Sequence, residues 1–384
     1  MKILIVAHYQ NQKSPCAVFI HDQAKAYQEL GHHVCIVCPV AALKRDYHGK
    51  RVSLPVKAEQ IDGVDYLFVR FLSLSKRGKN GLNFRNAILA IRLFLLRKLC
   101  LFHPDVIHAH TLGFDSEIGA WLKKRLECDL VVTSHGSDAD DPIRQGKREQ
   151  VASWCRKADR IVCVGSRLKE KLLSAGVNEP ISVIPNGYQL QYVRSDLPKV
   201  KSSIIQVGNL VQSKRNAITI QAFAMIIQKH PEAFLTIVGE GPEKEKLTDL
   251  CNQLHVEDRV CFTGRLSNRE ALERMAEAEY FVMVSAPEGF GIVYLEAMAS
   301  GCLTLGAENE GGADIITSGE TGFLLPVDNP EAIAAQILWA MENPGTVKII
   351  TEKGREKALQ YSWKKNAMAY QRIFEELIRG SADA

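Results

Sequence analysis

The sequence predicts a two-domain α/β protein in which each domain holds its own parallel sheet. At 384 residues the chain is too long for one ordinary hydrophobic core, and two domains of about 180 residues are the natural division. Short continuous apolar runs alternate with helical segments, the pattern of strands buried on both faces. The same pattern restarts near residue 204.

The first domain opens with the apolar run Lys2 to Ala7, a loop from His8 to Pro15, and a helical segment from about Val18 to Leu30 that stops at Gly31. His32 to Val37 is the next strand. Val106–His110, Leu130–Ser134 and Ile161–Val164 continue the strand-loop-helix order, which implies a parallel sheet. Gly187 to Lys201 is polar, contains proline and lacks periodicity, so it reads as a linker. Ile204 to Gly208 restarts the pattern, followed by a helix from about Ala217 to Lys229. Leu235–Val238, Val260–Thr263, Tyr280–Val284 and Thr304–Gly306 are the later strands. A break at Tyr361-Ser362 precedes a last helix, about Trp363 to Arg379. The expected divisions are 1–187, a linker at 188–203, 204–360, and a C-terminal helix in 361–384. Ligands of open α/β sheets lie beyond the carboxyl ends of the strands, so the active site is expected in the cleft between the domains.

The formal charge of +4 hides an asymmetry. Residues 1–195 carry 29 Lys+Arg against 18 Asp+Glu, and the remainder 19 against 26. The basic half is the one expected to meet an anionic partner or a membrane surface. The basic Lys76-Arg77-Gly78-Lys79 precedes Phe84 to Phe102, an apolar segment interrupted by Arg85, Arg92, Arg97 and Lys98. Four cations in nineteen residues argue against a bilayer-spanning helix. Two readings stay open: a helix packed on the sheet with its arginines in solvent, or an apolar edge resting on an anionic leaflet. Cys35-Ile-Val-Cys38 lies in an apolar run with no second pair to complete a zinc site, so buried reduced thiols are expected. Met1 to Val6 enters a strand directly, without a long apolar leader or small-residue cleavage site, which reads as a cytoplasmic chain.

The most specific stretch runs from Ser285 to Gly301, SAPEGFGIVYLEAMASG. Glu288 and Glu296 sit eight residues apart, and the first opens a Gly-x-Gly turn that leads into a short helix. Gly289 and Gly291 lack Cβ, so the backbone can take positive φ and let a ligand approach its N–H groups. The positive end of the helix suits a diphosphate. A carboxylate beside a diphosphate is repelled by it, so the two glutamates should hold something neutral and rich in hydroxyls. A sugar nucleotide meets both demands.

Glu-x7-Glu followed by Ala-Met-Ala-x-Gly resembles the donor-site signature of the family-4 retaining glycosyltransferases, and the resemblance covers nearly the whole chain. It implies a GT-B fold: two Rossmann-like domains, the first on the acceptor side and the second binding the nucleotide sugar, with the C-terminal helix crossing back to the first. It also implies that Glu288 holds hydroxyls of the transferred sugar and Glu296 the ribose. Val207-Gly208-Asn209-Leu210 with Lys214 matches the turn that meets the leaving diphosphate, where Lys214 acts as a point charge. Asn209 departs from the family's usual Arg, so Arg215 or another basic residue takes over, or the leaving group is held less strongly. His135, in Thr133-Ser134-His135-Gly136-Ser137-Asp138, matches the sugar-facing His. The turn Phe262 to Leu266 matches the nucleobase site, through backbone groups of Arg265 and Leu266. The implied catalytic set is His135, Glu288 and Lys214. The implied donor-binding set is Gly208, Asn209, Lys214, Arg265, Leu266, Glu288, Gly289, Phe290, Gly291, Ile292, Val293 and Glu296.

Ile184-Pro185-Asn186-Gly187 matches a structural turn, and Glu310-Gly311-Gly312-Ala313-Asp314 a second turn behind the donor site. Cys16-Ala17 stand where the family often has paired glycines. Asp138-Ala139-Asp140 spells Asp-x-Asp by coincidence, and no metal or other cofactor is expected. The reading is a retaining transferase moving a sugar from a nucleoside diphosphate, UDP foremost, to a hydroxyl of a glycan or lipid-linked oligosaccharide in cell-surface polysaccharide synthesis. It would work in the cytoplasm or at the inner face of the membrane, with no nucleic-acid partner. The alternatives are a sugar-nucleotide epimerase and a non-catalytic subunit that binds a nucleotide sugar.

Overall fold

The apolar runs form two sheets, one in each of two units of the chain. The structure is a computed structural model and describes residues 1–8, 17–41, 56–72, 81–194 and 197–382. The first unit comprises Met1–Gly187 with the C-terminal helix from Trp363, and the second Tyr188–Ser362. Cys16 and the basic Lys76, Arg77 and Lys79 lie outside the described residues.

The first sheet holds β1 (Lys2–Val6), β2 (His33–Ala41), β3 (Val56–Ile61), β4 (Val64–Phe71), β5 (Val106–His110), β6 (Asp129–Ser134), β7 (Arg160–Cys163) and β8 (Ile181–Val183). Their order is β3-β4-β2-β1-β5-β6-β7-β8, parallel except for the β3–β4 hairpin. That hairpin turns on Asp62 and Gly63, both at positive φ, the backbone a two-residue turn between twisted strands requires. Strand order reverses between β1 and β5, which pair with Ile5 opposite His108. In open α/β sheets such a reversal of strand order is where ligands bind. Cys35 and Cys38 lie three apart on β2, so they face opposite sides of the sheet. Both are buried, and burial pushes the Cys35 thiol up to about 12.

The helices of this unit are α1 (Val18–Glu29), α2 (Gly81–Phe94), α3 (Leu96–Phe102), α4 (Phe114–Leu126), α5 (Ser137–Arg144), α6 (Arg148–Cys155) and α7 (Ser166–Ser174). The apolar segment 84–102 is two helices, broken at Leu95 (φ −125°, ψ −27°), whose side chain is buried. Its inner face packs Ala87, Ala90, Ile91 and Leu99, while Arg85, Arg92, Arg97 and Lys98 are exposed. The C-terminal helix, Trp363–Ala382, lies against α1. Buried Gln23 donates to Asn366 at 2.6 Å, and Tyr370 and Phe374 pack on Tyr27.

The second sheet holds β9 (Val200–Val207), β10 (Phe234–Val238), β11 (Val260–Gly264), β12 (Ala278–Met283), β13 (Leu303–Ala307) and β14 (Phe323–Leu325). It is parallel in the order β11-β10-β9-β12-β13-β14, so its reversal falls between β9 and β12. β9 starts four residues before the apolar run at Ile204. Its polar start is paired because Glu279 accepts from the Ser202 N–H at 2.7 Å and donates its own N–H to Ser203. Around the sheet lie α8 (Asn216–Ile226), α9 (Lys244–Gln253), α10 (Asn268–Glu277), α11 (Ile292–Ala299), α12 (Pro330–Glu342) and α13 (Pro344–Ala358). Ile220, Phe223, Leu235, Ile237, Val282 and Leu305 are among its core.

Candidate functional site

The reversal between β9 and β12 gathers the polar groups of the second unit. Val207 ends β9, and the chain runs through Gly208 and exposed Asn209 to Lys214. Ser285 and Glu288 follow β12. The Lys214 Nζ lies 2.5 Å from the Glu288 carboxylate, with the two side chains 24% and 12% exposed. A pair this sheltered is weakly screened and stays fixed in direction. Ser285, fully buried, donates its hydroxyl to the same Glu288 oxygen at 2.9 Å. The backbone on both sides is tied down. Gln206 donates to the Lys214 carbonyl at 2.8 Å, and the Ala286 N–H donates to the Ser213 carbonyl at 2.9 Å. Glu310 accepts from the Glu288 N–H at 2.9 Å, while the Gly311 N–H donates back to the Glu288 carbonyl.

Gly291 takes φ +80° as the N-cap of α11, whereas Gly289 is not among the positive-φ glycines. Space as well as φ requires glycine at 291, because a Cβ there would meet the Tyr294 ring at 2.4 Å. Tyr294 is buried beneath the turn and donates to the Met283 carbonyl at 2.6 Å. Gly311 admits the second turn, since its Cβ would strike the Phe290 nitrogen at 2.5 Å. The glycines thus seat the loop on Tyr294 as much as they open it to a ligand. Phe290 is buried, and Ile292 and Val293 begin α11 with their N–H groups unpaired within the helix. Glu296 is half-buried one turn on. Burial pushes the Tyr188 hydroxyl up to about 12, with the positive charge of Arg355 opposing and the negative charge of Glu296 adding to the shift. Gly264 closes β11 at φ +72°, followed by exposed Arg265 and half-buried Leu266. Arg215 Nε lies 2.7 Å from an Asp328 carboxylate oxygen.

His135 belongs to the first unit, at the carboxyl end of β6. Its ring packs on Phe19, with centroids 4.5 Å apart, and its Nε2 lies 3.0 Å from His110 Nδ1. Burial holds it neutral, with a pKa lowered to about 3. Asp138 accepts from the His135 and Gly136 N–H groups at 2.9 Å and from the Leu112 N–H at 2.8 Å. It therefore pins the loops after β5 and β6 together, and burial raises its pKa against the opposing bonds from the Leu112 and His135 N–H groups. Asp140 pairs with Lys171 at 3.2 Å. Both carboxylates of the Asp-x-Asp are thus taken up inside the protein. At the β1/β5 reversal, His8 and Thr111 both bond buried Asp115, each at 2.8 Å. The part Glu310 plays in holding Glu288, and His110, Asp115 and the bridging part of Asp138, are features the sequence did not single out. Their partners lie 22 to 107 residues away in most cases, so only the topology shows them.

Two family models match adjoining parts of the chain: Glycosyltransferase Family 4 over residues 16–192 and Glycosyl transferases group 1 over residues 192–357. N-acetyl-alpha-D-glucosaminyl L-malate synthase of Bacillus anthracis is 28% identical over 294 residues, 72% of this chain and 75% of that protein. Sucrose-phosphate synthase from Thermosynechococcus elongatus superposes with a TM-score of 0.81 at 17% identity, covering 99% of this chain and 100% of the other. Anabaena HepE, solved in complex with UDP and glucose, superposes with a TM-score of 0.75 at 18% identity, covering 98% and 100%. The fold is GT-B. The chain belongs to the family-4 retaining glycosyltransferases and is an enzyme of that class.

Proposed function

We propose that the enzyme takes its sugar from a UDP-sugar and passes it to a hydroxyl of a glycan or lipid-linked oligosaccharide. The observation that carries this reading is the Lys214–Glu288 pair at the strand-order reversal, set before the N-terminus of α11. An ammonium carries three N–H donors, and one directed to Glu288 leaves two for a diphosphate. Glu288 Oε2 serves Lys214 and Ser285, which leaves Oε1 to accept from sugar hydroxyls. Charge grows on the diphosphate as the anomeric C–O bond breaks, so Lys214 acts most strongly in the transition state. The N–H groups of the Gly289–Val293 turn would meet the same phosphates, with Gly208 and Asn209 facing them from β9. Glu296 would hold the ribose, and the backbone of Arg265 and Leu266 the base. His135 would contact the transferred sugar. No side chain of the chain is assigned as a nucleophile. In the front-face route proposed here, the departing phosphate oxygen takes the acceptor proton. HepE holds UDP and glucose together, which supports UDP as the nucleotide.

The test is incubation with UDP- and GDP-sugars, watching for nucleotide release, alongside Glu296→Ala. Loss of two hydrogen bonds to ribose should weaken donor binding roughly 10- to 150-fold while leaving the fold intact. Unchanged affinity in the folded variant would remove the ribose assignment.

A specific surface favours a lipid-linked acceptor over a soluble one. Leu89, Leu93 and Phe94 on α2, Leu101 on α3, and nearby Leu72 are 49–77% exposed, interleaved with Arg92, Arg97 and Lys98. Among the described residues no helix is long and apolar enough to cross a membrane. Apolar side chains beside cations suit the interface of an anionic leaflet, where each cation contributes on the order of 1 kcal/mol. Sedimentation with anionic liposomes should capture the protein and release most of it at ~0.5 M salt. Replacing Leu93 and Phe94 by serine together with Arg97 and Lys98 by glutamine should abolish capture. Equal recovery of variant and wild type with the liposomes would end the membrane reading.

A further inference from the structure

The loop after β13 grips the backbone of Glu288 from both sides. The Glu310 carboxylate accepts from the Glu288 N–H at 2.9 Å, and the Gly311 N–H donates to the Glu288 carbonyl at 3.0 Å. The Glu288 side chain is meanwhile bonded to Ser285 and Lys214. The fit behind this grip is close. A Cβ added at Gly311 would lie 2.5 to 2.6 Å from the Gly289 and Phe290 backbone, and one at Gly312 would lie 3.1 Å from the Tyr294 ring. The two loops therefore pack backbone on backbone, and that closeness brings the Glu310 side chain within reach of the Glu288 N–H. A carboxylate is a costly acceptor on a turn that would meet a diphosphate, because the two anions repel. What offsets the repulsion is a charge-assisted bond, roughly twice as strong as one to a neutral acceptor.

We propose that Glu310 is a positioning residue, whose bond to the Glu288 N–H sets the place of the Glu288 carboxylate against the transferred sugar. This rests on the reading of Glu288 as a sugar contact, and it adds the residue that aims that contact. A side chain leaves its backbone in a direction fixed by that backbone, so holding the N–H and carbonyl of Glu288 fixes where its carboxylate starts from. Ser285 and Lys214 cannot do this alone. Ser285 lies three residues earlier on the same loop, and Lys214 ends a flexible stem that can follow the carboxylate as it shifts. With the grip lost, the turn relaxes, and a misplacement of roughly 1 Å costs on the order of 100-fold in rate.

Titration of the full chain with UDP alone, set beside turnover with UDP-glucose and UDP-N-acetylglucosamine as probes, tests this. Glu310→Ala should lower turnover about 10- to 100-fold and leave UDP affinity within about threefold, because UDP has no transferred sugar for Glu288 to hold. Glu310→Gln keeps an oxygen acceptor at the same reach and should recover most of the turnover. Glu310→Asp keeps the charge, stops short of the N–H, and should behave as the alanine variant does. A glutamine variant as slow as alanine, or an aspartate variant as fast as wild type, overturns the proposal; these two decide it where alanine does not fold. In a Glu288→Ala background the further change Glu310→Ala should cost less than about threefold, since the carboxylate it aims is gone. Losses that multiply overturn the proposal, as does full turnover in a folded Glu310→Ala. Full turnover in Glu288→Ala instead overturns the sugar-contact reading itself.

Discussion

Lys214→Met is expected to lower turnover about 10²- to 10³-fold, the range seen when one preorganised donor to a developing oxyanion is lost. Methionine keeps an unbranched stem in the space over Gly208, where an added Cβ would lie 3.8–3.9 Å from the lysine methylenes, and removes only the charge. Donor affinity should fall less than turnover, because the diphosphate carries less charge before the bond breaks than after. Stability should change by only about 1–2 kcal/mol, since Ser285 still holds the Glu288 carboxylate and the pair is partly solvated. Single-turnover and donor-titration experiments separate the two effects. Equal losses in affinity and in turnover would make Lys214 a ground-state contact only. The companion variant Asn209→Arg adds the cation that the family resemblance leads one to expect, at an exposed position, and turnover should rise or stay level. A large fall there would mean the site is rebuilt around Asn209, which the Arg215–Asp328 pair permits by keeping Arg215 occupied.

The parallel strands were legible because they are buried on both faces and read as unbroken apolar runs. β1, β5, β6, β10 and β13 match those runs to within a residue or two at either end. The β3–β4 hairpin was passed over although Asp62-Gly63 signals it, because β3 alternates with polar residues at an edge of the sheet. Helix starts with side-chain caps carry their own signature: Ser267 and Glu270 form a capping box, and Asn329 with Pro330 opens α12.

The candidate site divides differently. Glu288, Gly291 and Glu296 fall in one contiguous motif, whose spacing on a turn and a helix is itself a geometric statement. The partners that make it work come from elsewhere in the sheet. Lys214 is 74 residues from Glu288 and Glu310 is 22 beyond it; they meet because β9 and β12 are neighbours and β13 lies beside β12. Asp138 shows the limit most clearly. Read along the chain it is half of a metal-like signature, and in the fold it is a brace for three backbone N–H groups on two loops.

The first unit should unfold in mild acid well before the second. Nine of the 11 histidines lie in the first 187 residues, and three of them, His108, His110 and His135, are stacked together. Burial holds His108 and His135 at about 3 and His110 well below its ordinary value. A base with a depressed folded pKa binds its proton in the unfolded chain first. The stability it preserves is complete above the unfolded pKa of about 6.5 and is lost as pH falls below it. Each such histidine removes up to about 1.4 kcal/mol per pH unit, or about 2 kcal/mol by pH 5. Three together approach the 5–15 kcal/mol that holds a typical domain folded. The second unit has only exposed His255 and half-buried His230, so it lacks this lever. Its one tryptophan, Trp339, lets the units be followed apart: Trp339→Phe leaves fluorescence reporting the first unit through Trp121, Trp154 and Trp363. Denaturant midpoints for this variant should drop steeply between pH 7 and 5, while a chain with Trp339 as its sole tryptophan should change little. Parallel loss in both would trace the acid sensitivity to carboxylates shared by the two units and acquit the histidine stack.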